Sequence, residues 1–174
     1  MAYQKLQGSE GLKVIKSDDA RIPDPSTVVV LDTATQATVG VAAFTANTLT
    51  DVGTKFTEAG INVGAIIYNT TAGVAYTVTG VTSDTVLAIS PATAGGATDS
   101  YSIYNNATIG CVLFVGGTGN VEVQMAARNG NQATAAQPSN QTLTFNNVAK
   151  GSFLPIQVVR VAAATTATDI IALW

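Results

Sequence analysis

Histidine is absent from this 174-residue chain, and cysteine occurs once, at Cys111. Without histidine the chain cannot build a Ser-His-Asp or Cys-His catalytic group or a His-containing zinc site, and a single cysteine cannot form a disulfide within one copy. Cys111 lies in the apolar run 109–115, which is typical of a small buried hydrophobe and not of a reactive nucleophile. We therefore expect no enzymatic activity, no catalytic residues, no cofactor and no metal.

Charge is also scarce. The chain has 8 basic and 11 acidic residues, a formal net charge of −3, and only 11% charged residues, where globular chains usually have about 25%. The basic residues are scattered and form no stripe, so we expect no nucleic-acid partner. The first eight residues lack the apolar core of a signal peptide, and polar residues interrupt every long apolar stretch, so we expect neither export nor a membrane contact.

What the chain does contain is small and β-tolerant residues. It is 47% hydrophobic, has 16 glycines, and is rich in alanine and threonine. Short β-branched runs alternate with Gly, Asn, Asp and Pro clusters, a pattern that is typical of strands joined by turns. The composition predicts an all-β fold, and the length predicts one domain or a compact domain with a small extra module.

The N-terminal region differs from the rest, because residues 1–24 hold eight of the chain's nineteen charged residues. A polar segment of mixed sign, closed by the sequence IPDP at 22–25, cannot bury much surface alone. It predicts an extended N-terminal arm, either frayed or ordered on a neighbouring subunit. The basic residues of this arm that we consider interface candidates are Lys13, Lys16 and Arg21.

Two β patterns follow the arm. The first covers 25–48 and 105–174 and predicts an antiparallel β-sandwich of jelly-roll or immunoglobulin-like size. The second covers 49–104, where glycines recur at strand-length spacing, and predicts an inserted small β-barrel of four or five strands. The strands expected for the sandwich are a buried strand at 26–31, a hairpin of 109–115 with 121–125 across the glycine-rich turn 116–120, a strand around 142–146 after the polar loop 128–141, and two final strands at 153–161 and 168–174.

The final strands are apolar on both faces. In a small sandwich only one face of each sheet lies inside, so the second face needs a cover other than water. Self-association is the simplest cover, as a closed homo-oligomer, a trimer or a pentamer. The residues of these strands that we expect at the interface are Val159, Arg160, Ile170, Ile171, Leu173 and Trp174.

Three segments carry a family resemblance: GCVLFVGGTGNV at 110–121, TFNNVAKGSFLPI at 144–156 and ATTATDIIALW at 164–174. Together they resemble small structural proteins of tailed bacteriophages and gene transfer agents, with the head spike base protein as the nearest family. The resemblance covers 107–174, and 20–31 weakly. It implies a β-sandwich that oligomerises on the outside of a capsid.

The barrel region departs from that family, which usually has a short connection there. Its segments VGAIIYNTT at 63–71 and YSIY at 101–104 resemble a small β domain found inserted in assorted phage virion proteins. Insertion at a surface loop is well tolerated, because the cost of loop closure grows slowly with length.

These features predict a viral structural protein on the capsid exterior, a decoration (cement) or head spike base subunit made in the host cytoplasm. The partners expected from the resemblance are the major capsid protein, further copies of the chain, and a spike or fibre protein. The alternative is a tail- or fibre-associated adhesion module that binds a host surface glycan or protein. The residues considered for that alternative are Tyr68, Tyr76, Tyr101 and Tyr104, which the barrel core could equally use.

Overall fold

The computed structural model describes residues 10–29, 31, 41–92, 94–126 and 142–174. The predicted all-β fold class is confirmed: the described strands pair antiparallel in two sheets, one of which closes into a barrel. The chain divides into a sheet unit, with its described residues in 10–14 and 110–174, and a barrel unit, Ile15–Ile109. The strands are β1 (Gly11–Lys13), β2 (Val41–Thr45), β3 (Thr48–Thr50), β4 (Ile66–Asn69), β5 (Val74–Ser83), β6 (Val86–Ser90), β7 (Asp99–Tyr104), β8 (Cys111–Val115), β9 (Gly119–Met125), β10 (Thr142–Val148), β11 (Ser152–Val161) and β12 (Ile170–Leu173).

The sheet unit contains six strands in the order β1-β12-β8-β11-β9-β10. Alternate residues of β8 and β12 are buried, as the period of two in a strand requires. Ile170 pairs with Val115 and Ala172 with Leu113 across these strands, and all four are at most 2% exposed. These pairs form the core side of the sheet.

β11 changes partners along its length. Its first half pairs with β8, its second half pairs with β9, and the register with β8 shifts between Leu154 and Val158. Pro155 lies inside this shift, as expected for a residue that has no N–H to donate to a ladder. The last four residues of the strand, Val158–Val161, are all buried, so both faces of β11 are covered here.

The barrel unit closes in the order β2-β3-β6-β5-β4-β7, and β2 pairs with both β3 and β7. Closure leaves no strand edge within the barrel. Phe44 of β2 stacks on Tyr76 at 5.2 Å between ring centroids and meets Tyr101 edge-on at 5.9 Å. The core also contains Leu49, Phe56, Ile61, Ala65, Ile67, Val78, Leu87, Ile89 and Ile103.

The extended arm predicted over 1–24 is not what the structure has for residues 10–24. Residues 11–13 form β1 on the edge of β12, and Val14 continues with an N–H bond of 2.9 Å to the Ile170 carbonyl. Ser17, Ala20 and Ile22 are buried. The segment is anchored because its few apolar residues find buried positions despite the charges between them. Residues 1–9 of the predicted arm lie outside the described residues.

The strand predicted at 26–31 is also different. Pro25–Thr27 is a 3-10 helix whose first turn is capped by Asp24, with a 3.0 Å bond from the Ser26 N–H to the carboxylate. Proline fixes the backbone angle that such a turn needs. Val28 then bridges to Tyr104, so residues 25–29 belong to the barrel unit and not to the sheet unit.

The domain boundaries therefore differ from those expected. The barrel unit begins at Ile15 and ends at Ile109, where the sequence predicted 49–104. One whole barrel strand, β2, lies outside the predicted limits, because an alanine- and threonine-rich segment at 41–45 carries little strand signal on its own. Residues 30 and 32–40 of the predicted sandwich segment lie outside the described residues.

The hairpin predicted between β8 and β9 is wrong, because β11 lies between these two strands. The intervening glycines pair with the segment before β12: Gly116 N–H donates to the Asp169 carbonyl at 3.0 Å and Gly117 N–H to the Thr168 carbonyl at 2.9 Å. A Cβ at Gly116 would lie 2.8 Å from that Asp169 oxygen. The glycines therefore allow close approach of two backbones, which a sequence pattern does not distinguish from a turn.

Candidate interaction surface

The side of the sheet opposite the core carries an apolar surface. Leu173 pairs with Val112, and Ile171 pairs with Phe114, which in turn pairs with Phe153 of β11. Directly paired residues lie on the same face, so these side chains form one continuous group. We call it the aromatic patch, and it consists of Val112, Phe114, Phe153, Ile171 and Leu173.

The centre of the aromatic patch is the Phe114–Phe153 pair. The two ring centroids lie 5.1 Å apart with the ring planes tilted by 57°. Phe153 is 60% exposed, whereas Phe114, Ile171 and Leu173 are half-buried. A single exposed apolar residue is ordinary, but a contiguous apolar group around an exposed phenylalanine is typical of an interaction surface.

One pair of opposite charges lies at the margin of the aromatic patch. Lys13 of β1 pairs in register with Ile171, and its ammonium lies 3.8 Å from the carboxylate of Asp169. Both side chains are more than two-thirds exposed, so water screens this ion pair and it contributes little to stability. The margin thus carries one charge of each sign.

The predicted interface residues fall into three groups. Ile171 and Leu173 lie in the aromatic patch, and Lys13 lies beside it. Trp174 is the next residue after Leu173 and is half-buried, and its backbone N–H donates to the Glu10 carbonyl at 3.3 Å. Three predicted interface residues are buried within the chain itself and are not interface residues: Val159, Arg160 and Ile170. The prediction failed there because the chain supplies its own cover for both faces of β11. Lys16 and Arg21 are half-buried in the barrel unit.

The two phenylalanines of the aromatic patch were not predicted as interface residues. In the sequence, Phe114 lies within the apolar run 109–115, and Phe153 begins the strand predicted at 153–161. The signal that could have identified Phe153 is Pro155, since a proline within a strand marks an edge or an irregular pairing. Alternation along 152–156 then places Phe153 and Pro155 on the same face, and both are exposed.

The four tyrosines considered for adhesion are buried in the barrel: Tyr68, Tyr76, Tyr101 and Tyr104 are at most 8% exposed. The Tyr101 hydroxyl donates to the Asp51 carboxylate at 2.7 Å. Burial, and then this hydrogen bond, raise the pKa of Tyr101 well above its usual value of 10.0. Tyr101 therefore stays protonated and keeps its role as a donor at neutral pH.

A second buried carboxylate, that of Asp99, holds the turn at 94–98. Asp99 accepts hydrogen bonds of 2.7 Å from the Asn69 side-chain amide and from the Gly96 N–H. Asn69 is fully buried, and its side-chain oxygen Oδ1 accepts the Ala72 N–H at 2.8 Å. Asp51 and Asp99 thus bond to different partners and hold separate turns of the barrel, which is a structural role for both acids.

Cys111 is 1% exposed, and its thiol donates to the Val158 carbonyl at 3.2 Å. Burial raises the pKa of the thiol from 9.0 to about 12. Between pH 9 and about 12 the thiol ionises in the unfolded chain but stays neutral in the folded protein. Ionisation therefore favours the unfolded chain, and the free energy of unfolding falls as the pH rises above about 9.

We expect Cys111 in the folded protein to react with a thiol reagent at pH 8 at least about a thousandfold more slowly than in the denatured chain, because only the thiolate reacts. Ellman's reagent, with and without 6 M guanidinium chloride, measures both rates. Equal rates in the two conditions would contradict the burial of this thiol.

The comparisons with known proteins identify no relative: no protein-family model matches the chain, and neither does any curated protein or solved structure. In the described part of the chain no helix is long and apolar enough to cross a membrane. Among the same residues, no group of three or more acidic or cysteine side chains is placed to hold a metal ion.

Proposed function

We propose that the protein is a structural component of a tailed-phage virion, a decoration or head spike base subunit on the capsid exterior. The aromatic patch carries this proposal, because a contiguous apolar surface with a narrow charged margin is suited to a lasting subunit contact. Copies of the chain contact one another through it in a closed trimer or pentamer. The other partners are the major capsid protein and a spike or fibre protein.

The charge pattern supports this assignment. The net charge of −3 and the scattered basic residues suit a surface that does not touch packaged nucleic acid. The closed barrel has no unpaired strand edge, so it can stand exposed on a particle without pairing to neighbours. We do not propose adhesion through the four tyrosines, because their side chains are buried in the core of the barrel.

Replacing Phe153 with aspartate is expected to weaken association by about 2 kcal/mol or more, roughly a thirtyfold change, because a charge replaces the central exposed ring of the contact. Light scattering after size exclusion measures the mass over a concentration series. Thr57→Asp is the matched control, since it adds the same charge at an exposed turn of the barrel unit.

The control should associate like the unchanged protein and keep its thermal stability. Phe153→Asp should also fold but melt slightly lower, because it loses the ring contact with Phe114. A Phe153→Asp protein that associates as tightly as the unchanged chain would contradict the assignment of the aromatic patch as a subunit contact.

A further inference from the structure

The second surface of interest is the edge strand β10. Within the described residues it is the last strand of the sheet and pairs on one side only, with β9. An edge strand presents a row of backbone N–H and C=O groups that can pair with another chain, and proteins usually block such a row with charges or proline. The sequence of β10, TLTFNNV, contains neither.

We infer that β10 pairs antiparallel with β10 of a second copy around a two-fold axis at Thr144. The side chains of the strand match themselves in this register. Leu143 of each copy faces Phe145 of the other, Thr142 faces Asn146, and Thr144 faces Thr144. Apolar residues thus meet apolar residues, polar residues meet polar residues, and no like charges are opposed.

The core of the sheet unit continues to the same edge. Leu143 pairs with Val123 and Phe145 with Val121, and both valines are fully buried. Leu143 and Phe145 therefore lie on the core face, yet Leu143 is 51% exposed at the margin. A second copy in this register would extend the core across the axis and cover the exposed part of Leu143.

The side-chain match is the reason to assign a second copy and not a foreign strand. Any extended peptide can pair with a free edge through its backbone. Polar and apolar residues, however, alternate along 142–146. When this strand pairs with an antiparallel copy of itself centred on Thr144, like residues therefore face like residues. The register with β9 shifts only after Phe145, so the residues nearest the axis keep regular strand geometry.

This contact is separate from the aromatic patch and does not depend on the proposed virion role. Its test therefore uses the Phe153→Asp background, in which the contact proposed for the aromatic patch is removed. Sedimentation velocity of this protein is expected to show a dimer. Adding Thr144→Lys places two ammonium groups opposite each other at the axis and should weaken dimerisation at least tenfold, giving a monomer.

A pair of variants with complementary charges gives the most direct test of this contact. Thr144→Glu should also give a monomer, and an equimolar mixture of the lysine and glutamate variants should restore the dimer. The matched control is Asn146→Lys, which places the new charge opposite Thr142 and should leave the dimer in place. Thr144 pairs with Glu122 of β9, so glutamate at 144 faces a like charge within the chain and lysine faces an opposite one. Circular dichroism and a thermal melt therefore check that each variant is folded at the temperature of the experiment.

Cysteine cross-linking tests the register. Under mild oxidation, Thr144→Cys should form a disulfide dimer and Thr142→Cys should not, because only residue 144 meets its own copy. Cys111 is buried and does not compete. A Phe153→Asp protein that stays monomeric at high concentration would overturn the inference. So would a lysine-glutamate mixture that stays monomeric, or equal cross-linking at 142 and 144.

Discussion

A fragment limited to residues 49–104 is expected to be unfolded, whereas a fragment of residues 15–109 should fold on its own. The shorter fragment lacks β2, the strand that joins β3 to β7 and closes the barrel. It also lacks Phe44, whose ring packs on Tyr76 and Tyr101 in the core. The stabilisation free energy lost with a whole strand exceeds the small net free energy of unfolding of a domain of this size.

The measurement is the dispersion of amide signals in ¹H–¹⁵N correlation spectra of the two fragments, together with a thermal melt. The longer fragment should give dispersed signals and one cooperative transition, and the shorter one should give neither. A cooperatively folded 49–104 fragment would show that β2 is not needed for closure. An unfolded 15–109 fragment would show that the two units share one core.

Replacing Asp99 with alanine is expected to destabilise the barrel by about 3 kcal/mol, the second large effect. The substitution removes the acceptor of both the Asn69 amide and the Gly96 N–H, and Asn69 lies fully buried, away from bulk solvent. Each buried donor left without an acceptor costs about 1–3 kcal/mol. Urea unfolding of the full chain, followed by tyrosine fluorescence, measures the change.

Asp84→Ala is the control, because Asp84 is an exposed turn residue between β5 and β6 and its substitution should cost less than about 0.5 kcal/mol. Asp99→Asn adds a second comparison. Both bonds go to the same oxygen of Asp99, so an amide oxygen in that place can accept both and should recover most of the loss. If Asp99→Ala and Asp84→Ala unfold at the same urea concentration, the turn at 94–98 does not depend on this carboxylate.

Local patterns predicted the strands well where alternation was clear. The alternating residues of β5 and β7, the apolar run of β8 and the final strands all lie close to the expected positions. The barrel was predicted because several short strands with their own turns fall within some sixty residues. Its closing strand β2 was missed, because alanine and threonine form a strand there only through pairing with β3 and β7, which lie far apart in the sequence.

The pairing of strands was harder to predict than their existence. The glycines at 116–119 look like a hairpin turn, but the N–H groups of Gly116 and Gly117 bond to the segment before β12. Similarly, the apolar residues of β11 suggested a subunit contact, yet the chain covers both faces of Val158–Val161 itself. Three of the six interface residues predicted in the final strands, Ile171, Leu173 and Trp174, are only half-buried. The phenylalanines beside them became apparent only from the register of β8 and β11.

The central claim is that copies of this chain contact each other through the aromatic patch on the outside of a capsid. Cryo-electron microscopy of virus particles purified from cells that produce this chain tests that claim most directly. The account predicts density for a trimer or pentamer on the capsid exterior, with Phe114 and Phe153 covered by a neighbouring copy. Particles that lack the chain, or that carry it with both rings facing solvent, would contradict the account.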